Sequence, residues 1–136
     1  MLVADSCVWT DHFRGVDNPA RRALVNALLE GQVLLLVPDL VLMEVMRGFR
    51  FESEMRRALA AFERLPMVEL GGHDNVLRAA DHCRQLRRLG HTVRSQVDAL
   101  LASWCIAQDH LLLQRDRDFD PYAQHFGLRL WSGAVH

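Results

Sequence analysis

Four carboxylates occupy positions where a carboxylate is either costly or useful. Asp5 closes the apolar run Leu2-Val3-Ala4. Glu44 is the one charge in Leu40–Met46, and Asp98 the one charge in Val97–Ala107. Asp116 follows Leu111–Gln114 in an arginine-containing acidic loop with Asp118 and Asp120. An unpaired carboxylate in apolar surroundings is expensive to bury. Acids that converge with no basic residue among them repel one another unless a divalent cation sits between them. Oxygen-only donor sets suit Mg2+, and also Mn2+. Such an ion activates water and offsets charge on a phosphoryl oxygen. The candidate catalytic set is therefore Asp5, Glu44, Asp98 and Asp116, with Asp5, Asp98 and Asp116 as metal ligands.

Each acid also has a plain structural role open to it. Asp5 can cap the helix that begins at Ser6. Glu44 can pair with Arg47. Ser95-x-x-Asp98 resembles a capping box, so Asp98 can serve a helix N-terminus. Asp116 and Asp118 can belong to a solvated turn before Pro121.

The elements that would bring the acids together follow from periodicity and punctuation. Leu2–Ala4 reads as a strand, Ser6–Arg14 as a helix stopped by Gly15, and Asp17-Asn18-Pro19 as a turn that opens a second helix to Glu30. Val33–Val37 is a continuous apolar run between Gly31 and Pro38, as in a strand buried on both faces. Helices are expected over Asp39–Arg47 and Glu52–Arg64, a strand at Met67–Leu70, and helices over Asn75–Leu89 and Arg94–Gln108. Strands at Leu111–Gln114 and Leu128–Trp131 flank a short helix near Pro121–Phe126. Strand–helix alternation of this kind predicts an α/β fold in one domain, residues 1–136, with a single parallel sheet flanked by helices on both faces. In such sheets the ligand site lies beyond the carboxyl ends of the strands, which is where the four acids fall.

Composition narrows the chemistry. Sixteen basic residues nearly balance seventeen acidic ones, so the chain as a whole exerts no strong pull on nucleic acid or anionic lipid, and any such binding must be local. All the basic residues are Arg, which excludes chemistry that needs a lysine. Cys7, Cys83 and Cys105 show no CxxC spacing and read as free thiols in a reducing compartment. No His pattern at zinc-ligand spacing is present. Nothing near Met1 reads as a signal peptide, and no apolar stretch is long enough to span a bilayer, so a cytoplasmic protein with no membrane role is expected.

Val3-Ala4-Asp5-Ser6-Cys7-Val8-Trp9-Thr10-Asp11-His12-Phe13-Arg14-Gly15 resembles the opening of PIN-domain ribonucleases of the VapC type. Val41–Val45 is similar to their second motif through Glu44, Val97–Ala102 to the third through Asp98, and Leu112–Asp120 to the fourth through Asp116. Gln114-Arg115 departs from the His or Thr often found there. The resemblance covers essentially the whole chain. It implies a Mg2+-dependent endoribonuclease, the toxin of a toxin–antitoxin pair, acting on RNA, held inactive by a VapB-type antitoxin and usually a homodimer. It further implies that some of Val8, Trp9, Phe13, Phe49 and Phe51 line a groove for an antitoxin segment. Arg47, Arg50, Arg56 and Arg57 form a candidate RNA-contacting patch. Asp118 is expected to cap the short helix or to orient Asp116.

Two other classes fit less well. A receiver-type domain needs a lysine. A phosphatase of the haloacid-dehalogenase type wants DxD where this chain has Asp5-Ser6-Cys7. An inert RNA- or protein-binding domain of the same fold is the third alternative.

Overall fold

The computed structural model describes residues 1–132. The apolar runs become five strands: β1 (Leu2–Ala4), β2 (Leu35–Pro38), β3 (Met67–Val68), β4 (Leu111–Leu113) and β5 (Arg129–Leu130). Between them lie helices α1 (Ser6–Arg14), α2 (Pro19–Glu30), α3 (Asp39–Arg47), α4 (Glu52–Phe62), α5 (His73–Arg88), α6 (Gln96–Gln108) and α7 (Asp120–Phe126). A single 3-10 turn, Arg117–Phe119, precedes α7.

All strand pairs are parallel, in the order β3-β2-β1-β4-β5. β1 is central: Val3 pairs with Leu36 on one side and Leu112 on the other. Leu2, Val3 and Ala4 are all buried. Successive strand side chains point to opposite faces, so both faces of the sheet are covered. The α/β architecture expected from the alternation is the one observed.

Local signals explain most boundaries. Asn18 caps α2 by accepting from the Arg21 amide at 2.9 Å, with Pro19 in the first turn. Gly15 ends α1 at φ 72°, a left-handed conformation that glycine adopts without Cβ strain. β2 begins two residues later than the apolar run. Val33 and Leu34 are about half exposed, whereas Leu35 to Pro38 are buried. An apolar run records composition, and ladder pairing with β1 decides which part of it is strand.

The core includes Val8 and Trp9, at 0% and 1% exposure, so neither lines a groove as the resemblance had implied for some of that set. Trp9 packs on Phe62 with ring centroids 4.5 Å apart. Burying side chains of this size contributes roughly 1.5–3 kcal/mol each, so residues close to Asp5 hold α1 in the core and against α4. Among the described residues, no helix is long and apolar enough to cross a membrane.

Candidate metal centre

The chain winds outward from β1 to β2 and β3, then returns past β1 to form β4. Strand order therefore reverses between β1 and β4, and at such a point a crevice opens beyond the carboxyl ends of the strands. The Asp5 amide donates to the Leu113 carbonyl at 2.9 Å, which joins the two strand ends side by side.

Asp5 stands at the head of α1, yet its side chain caps no amide there. It is 4% exposed. Its Oδ2 accepts from the Cys7 thiol at 3.1 Å, and its Oδ1 is buried without a partner. Glu44, on α3, has Oε2 3.9 Å from a largely exposed Arg47, while its Oε1 is buried and unpartnered. The Asp98 amide donates to Ser95 Oγ at 3.2 Å, so Ser95 caps α6 and the Asp98 carboxylate is left for other work. Asp116 Oδ1 accepts from the Asp118 amide at 2.9 Å and caps the 3-10 turn. Asp118 does not cap the short helix as expected; the chain turns immediately after β4 and brings the Asp118 amide back onto the Asp116 carboxylate, which caps the 3-10 turn instead. α7 begins with no side-chain cap.

Asp98, Asp116 and Asp118 each place a carboxylate oxygen within 4.8 Å of the others. Asp5 and Glu44 stand outside this trio but act on it through their fields. Burial, then Asp5, Glu44, Asp116 and Asp118, push the Asp98 carboxyl up to about 7. Asp5 is also pushed up, mainly by burial, against the opposing effect of the Cys7 thiol. These residues fit a hard divalent cation: the donors are all oxygens, two of them are buried without a partner, and the acids repel one another at Asp98.

Two features were not anticipated. Asp11 is buried and meets Arg115 through two bonds, Nε to Oδ2 at 2.6 Å and Nη2 to Oδ1 at 3.3 Å, with Asn18 Nδ2 adding a third at 3.0 Å. The pair spans 104 residues of sequence. It fixes α1 to the loop after β4 and engages the cation next to Asp116. A weak signal existed, since Asp11 lies one helical turn from buried Val8. Tyr122 is 3% exposed, its hydroxyl beside Cys83 and in the field of Asp98 and Asp118.

Asp116 and Asp118 can be separated by substitution. Asn keeps the oxygen that caps the 3-10 turn, so Asp116→Asn should lower Mn2+ affinity by about tenfold or more with the melting temperature unchanged. Asp118 is exposed, and Asp118→Asn should cost less affinity. Calorimetric titration of Mn2+ into each variant decides; the larger loss for Asp118→Asn would reverse the order.

The sequence model of the PIN domain matches residues 2–124. Ribonuclease VapC11 of Mycobacterium tuberculosis is 27% identical over 132 residues, covering 97% of this chain and 98% of that protein. Among solved structures, VapBC2 from Rickettsia felis bound to a DNA fragment from its promoter superposes with a TM-score of 0.76 at 16% identity, covering 96% of each chain. Mycobacterium tuberculosis VapC20, a Sarcin-Ricin loop cleaving toxin, superposes with a TM-score of 0.64 at 19% identity, covering 93% of this chain and 96% of that one. With a family match spanning nearly the whole chain and acids gathered at its switch point, this chain belongs to the PIN domain family.

Proposed function

We propose that this chain is a Mg2+-dependent endoribonuclease, able to use Mn2+, that acts as the toxin of a toxin–antitoxin pair. The observation that carries this reading is the convergence of Asp5, Glu44, Asp98, Asp116 and Asp118 at one crevice, with buried oxygens on Asp5 and Glu44 left unpartnered. The full-length relatives named for ribonuclease activity point the same way. A divalent cation bound there supplies Lewis acidity toward a phosphoryl oxygen and a water primed to attack. Asp5, Asp98 and Asp116 would hold it, Glu44 and Asp118 completing the anionic surround. The chain's own contribution is to fix these oxygens on strand ends and helix starts, where they cannot drift apart when charged. Cys7 holds one oxygen of Asp5 and leaves the other free.

Incubation with mixed RNA, with and without Mg2+, tests the reading. Cleavage lost in EDTA supports it, and full activity in EDTA overturns it. Release of phosphate from small monoesters without RNA cleavage would favour a phosphatase, and inertness toward both an RNA- or protein-binding domain.

The proposed antitoxin partner has a groove that fits it. Phe13, Phe49 and Phe51 line a cavity of ≈ 610 Å³ between α1, α3 and α4, with Arg14, Arg50 and Arg57 around it against a single acid, Glu54. Of the four arginines considered for RNA contact, Arg56 pairs with Glu52 at 2.9 Å and Arg47 lies beside Glu44, which leaves Arg50 and Arg57 on this groove. An apolar segment bearing acids would satisfy both its aromatic floor and its basic rim. Phe51 is 57% exposed, with Arg50 stacked over it at 5.5 Å, so Phe51→Glu should leave fold and ribonuclease activity intact. It should weaken a co-purified antitoxin complex by about tenfold or more, as loss of an aromatic anchor does. Unchanged affinity would place the antitoxin elsewhere. The homodimer is part of the same proposal and is read from sedimentation of the purified chain.

A further inference from the structure

A second cavity, of ≈ 320 Å³, opens beside the acids, walled by Gln114, Arg115, Asp116 and Arg117 from the loop after β4 and by Trp131 beyond β5. Asp116 belongs to both the acid cluster and this wall, so whatever occupies the cavity abuts the cluster. The volume is near the lower end of small-ligand pockets, which run from ~300 to ~1,000 Å³; it has room for one planar group and not for a duplex.

The wall combines three kinds of contact. Trp131 is held at the sheet end by its amide, which donates to the Leu112 carbonyl at 2.9 Å. Its side chain packs partly on the core and lines this cavity and a neighbouring one beside Arg22 and Arg129. Arg115 is held in place by Asp11, yet its side chain remains 52% exposed. Arg117 is exposed and forms no ion pair among the described residues. Gln114 and Asp120, on the same wall, offer an amide and a carboxylate. An indole surface suits a base, a planar guanidinium suits a phosphate, and amide or carboxylate groups suit a base edge.

We propose that this cavity is a nucleotide subsite, in which an unpaired base of single-stranded RNA stacks on Trp131 and an adjoining phosphate meets Arg117. The inference rests on the ribonuclease reading and adds to it the residues that receive one unstacked nucleotide, Trp131 for its base and Arg117 for its phosphate. Asp120 on the same wall disfavours a second phosphate, which leaves Arg117 as the phosphate contact.

The test uses the Asp98→Asn protein in Mg2+, to halt cleavage, and a fluorescein-labelled single-stranded RNA of mixed sequence read by anisotropy across a salt series. Trp131→Leu keeps an apolar wall and removes the aromatic face. Base–aromatic stacking is worth ~1–3 kcal/mol per base, so affinity should fall on the order of tenfold at every salt concentration, with the salt slope unchanged. Trp131→Phe should restore most of it. Arg117→Gln should instead flatten the slope by about 0.7, the value for one phosphate contact on a single strand. Equal affinity for the Trp131→Leu protein and its parent overturns the subsite. Equal losses for Leu and Phe, accompanied by a lower melting temperature, assign Trp131 to packing and also overturn it. Cleavage by the otherwise wild-type chain is followed in parallel. Cleavage that is insensitive to Trp131 removes the subsite alone; absence of both cleavage and binding removes the ribonuclease reading and the subsite with it.

Discussion

Asp98→Asn is expected to give a protein that is more stable without metal than its parent and inactive toward RNA. Burial and four neighbouring acids raise the Asp98 carboxyl from 3.8 to about 7. A carboxyl raised in the folded state is one whose neutral form the fold prefers. Below about pH 4 it is protonated both folded and unfolded, and the preference has no effect on stability. As pH rises toward 7 the unfolded chain ionises freely and the folded chain resists, so stability drains away, and above 7 the whole penalty is present. Asparagine carries none of it. Partial exposure and screening reduce the penalty well below the full value of such a shift, to about 1–2 kcal/mol. The melting temperature in EDTA at pH 8 should then rise by roughly 3–8 °C, and the gain should vanish near pH 4. Ribonuclease activity should fall on the order of a hundredfold or more, since a ligand matters at least as much as the groups that orient ligands. A parent and variant that melt together at pH 8 would mean that burial and the neighbouring acids do not disfavour the Asp98 carboxylate. The carboxylate that would serve catalysis is here a liability to the fold, the usual relation between a charged site and its scaffold.

That liability is also why the acids were visible in the sequence. A lone charge in Leu40–Met46 or Val97–Ala107 conflicts with its surroundings, and such a conflict marks either a buried partner or a ligand. The sheet was legible for a related reason: Leu2–Ala4, Leu112 and Leu113 are buried and Leu111 partly so, and these strands lack any polar alternation. Asn18-Pro19, Gly15 and Ser95 punctuate helices through contacts within a few residues. What could not be read depended on distant contacts. The Asp11–Arg115 pair joins segments that only the folded sheet brings together. Val8 and Trp9 are core while Phe51 is exposed, although all three are apolar residues close to the site motifs. Spacing within a helix says which residues share a face, and the packing of α4 against α1 says which face is covered. The failure of Asp118 to cap the short helix has the same origin, because the 3-10 turn after β4 sets which carboxylate meets which amide.

Mn2+ binding should strengthen about tenfold per pH unit from roughly pH 5 up to 7 and level off above it. Below its raised pKa Asp98 is mostly protonated, and a cation can be held there only by displacing that proton. One proton released per ion makes the logarithm of the association constant rise with unit slope until the group is already ionised. Asp5, also pushed upward by burial, adds to the release at the acid end. Titration calorimetry in buffers of different ionisation enthalpy measures the count directly: about one proton per Mn2+ near pH 6, and close to none at pH 8. Separated, solvated carboxylates give a different curve. With ordinary pKa values near 4 they would already be ionised at pH 5, and affinity would stay flat from there upward with no proton released. A flat profile between pH 5.5 and 7.5 would therefore show that neither burial nor the other acids hold Asp98 neutral, even if the metal binds and RNA is cut. A unit slope ending near 7 requires Asp98 to be held neutral by its burial and by the neighbouring acids together, a resistance that a bound cation relieves.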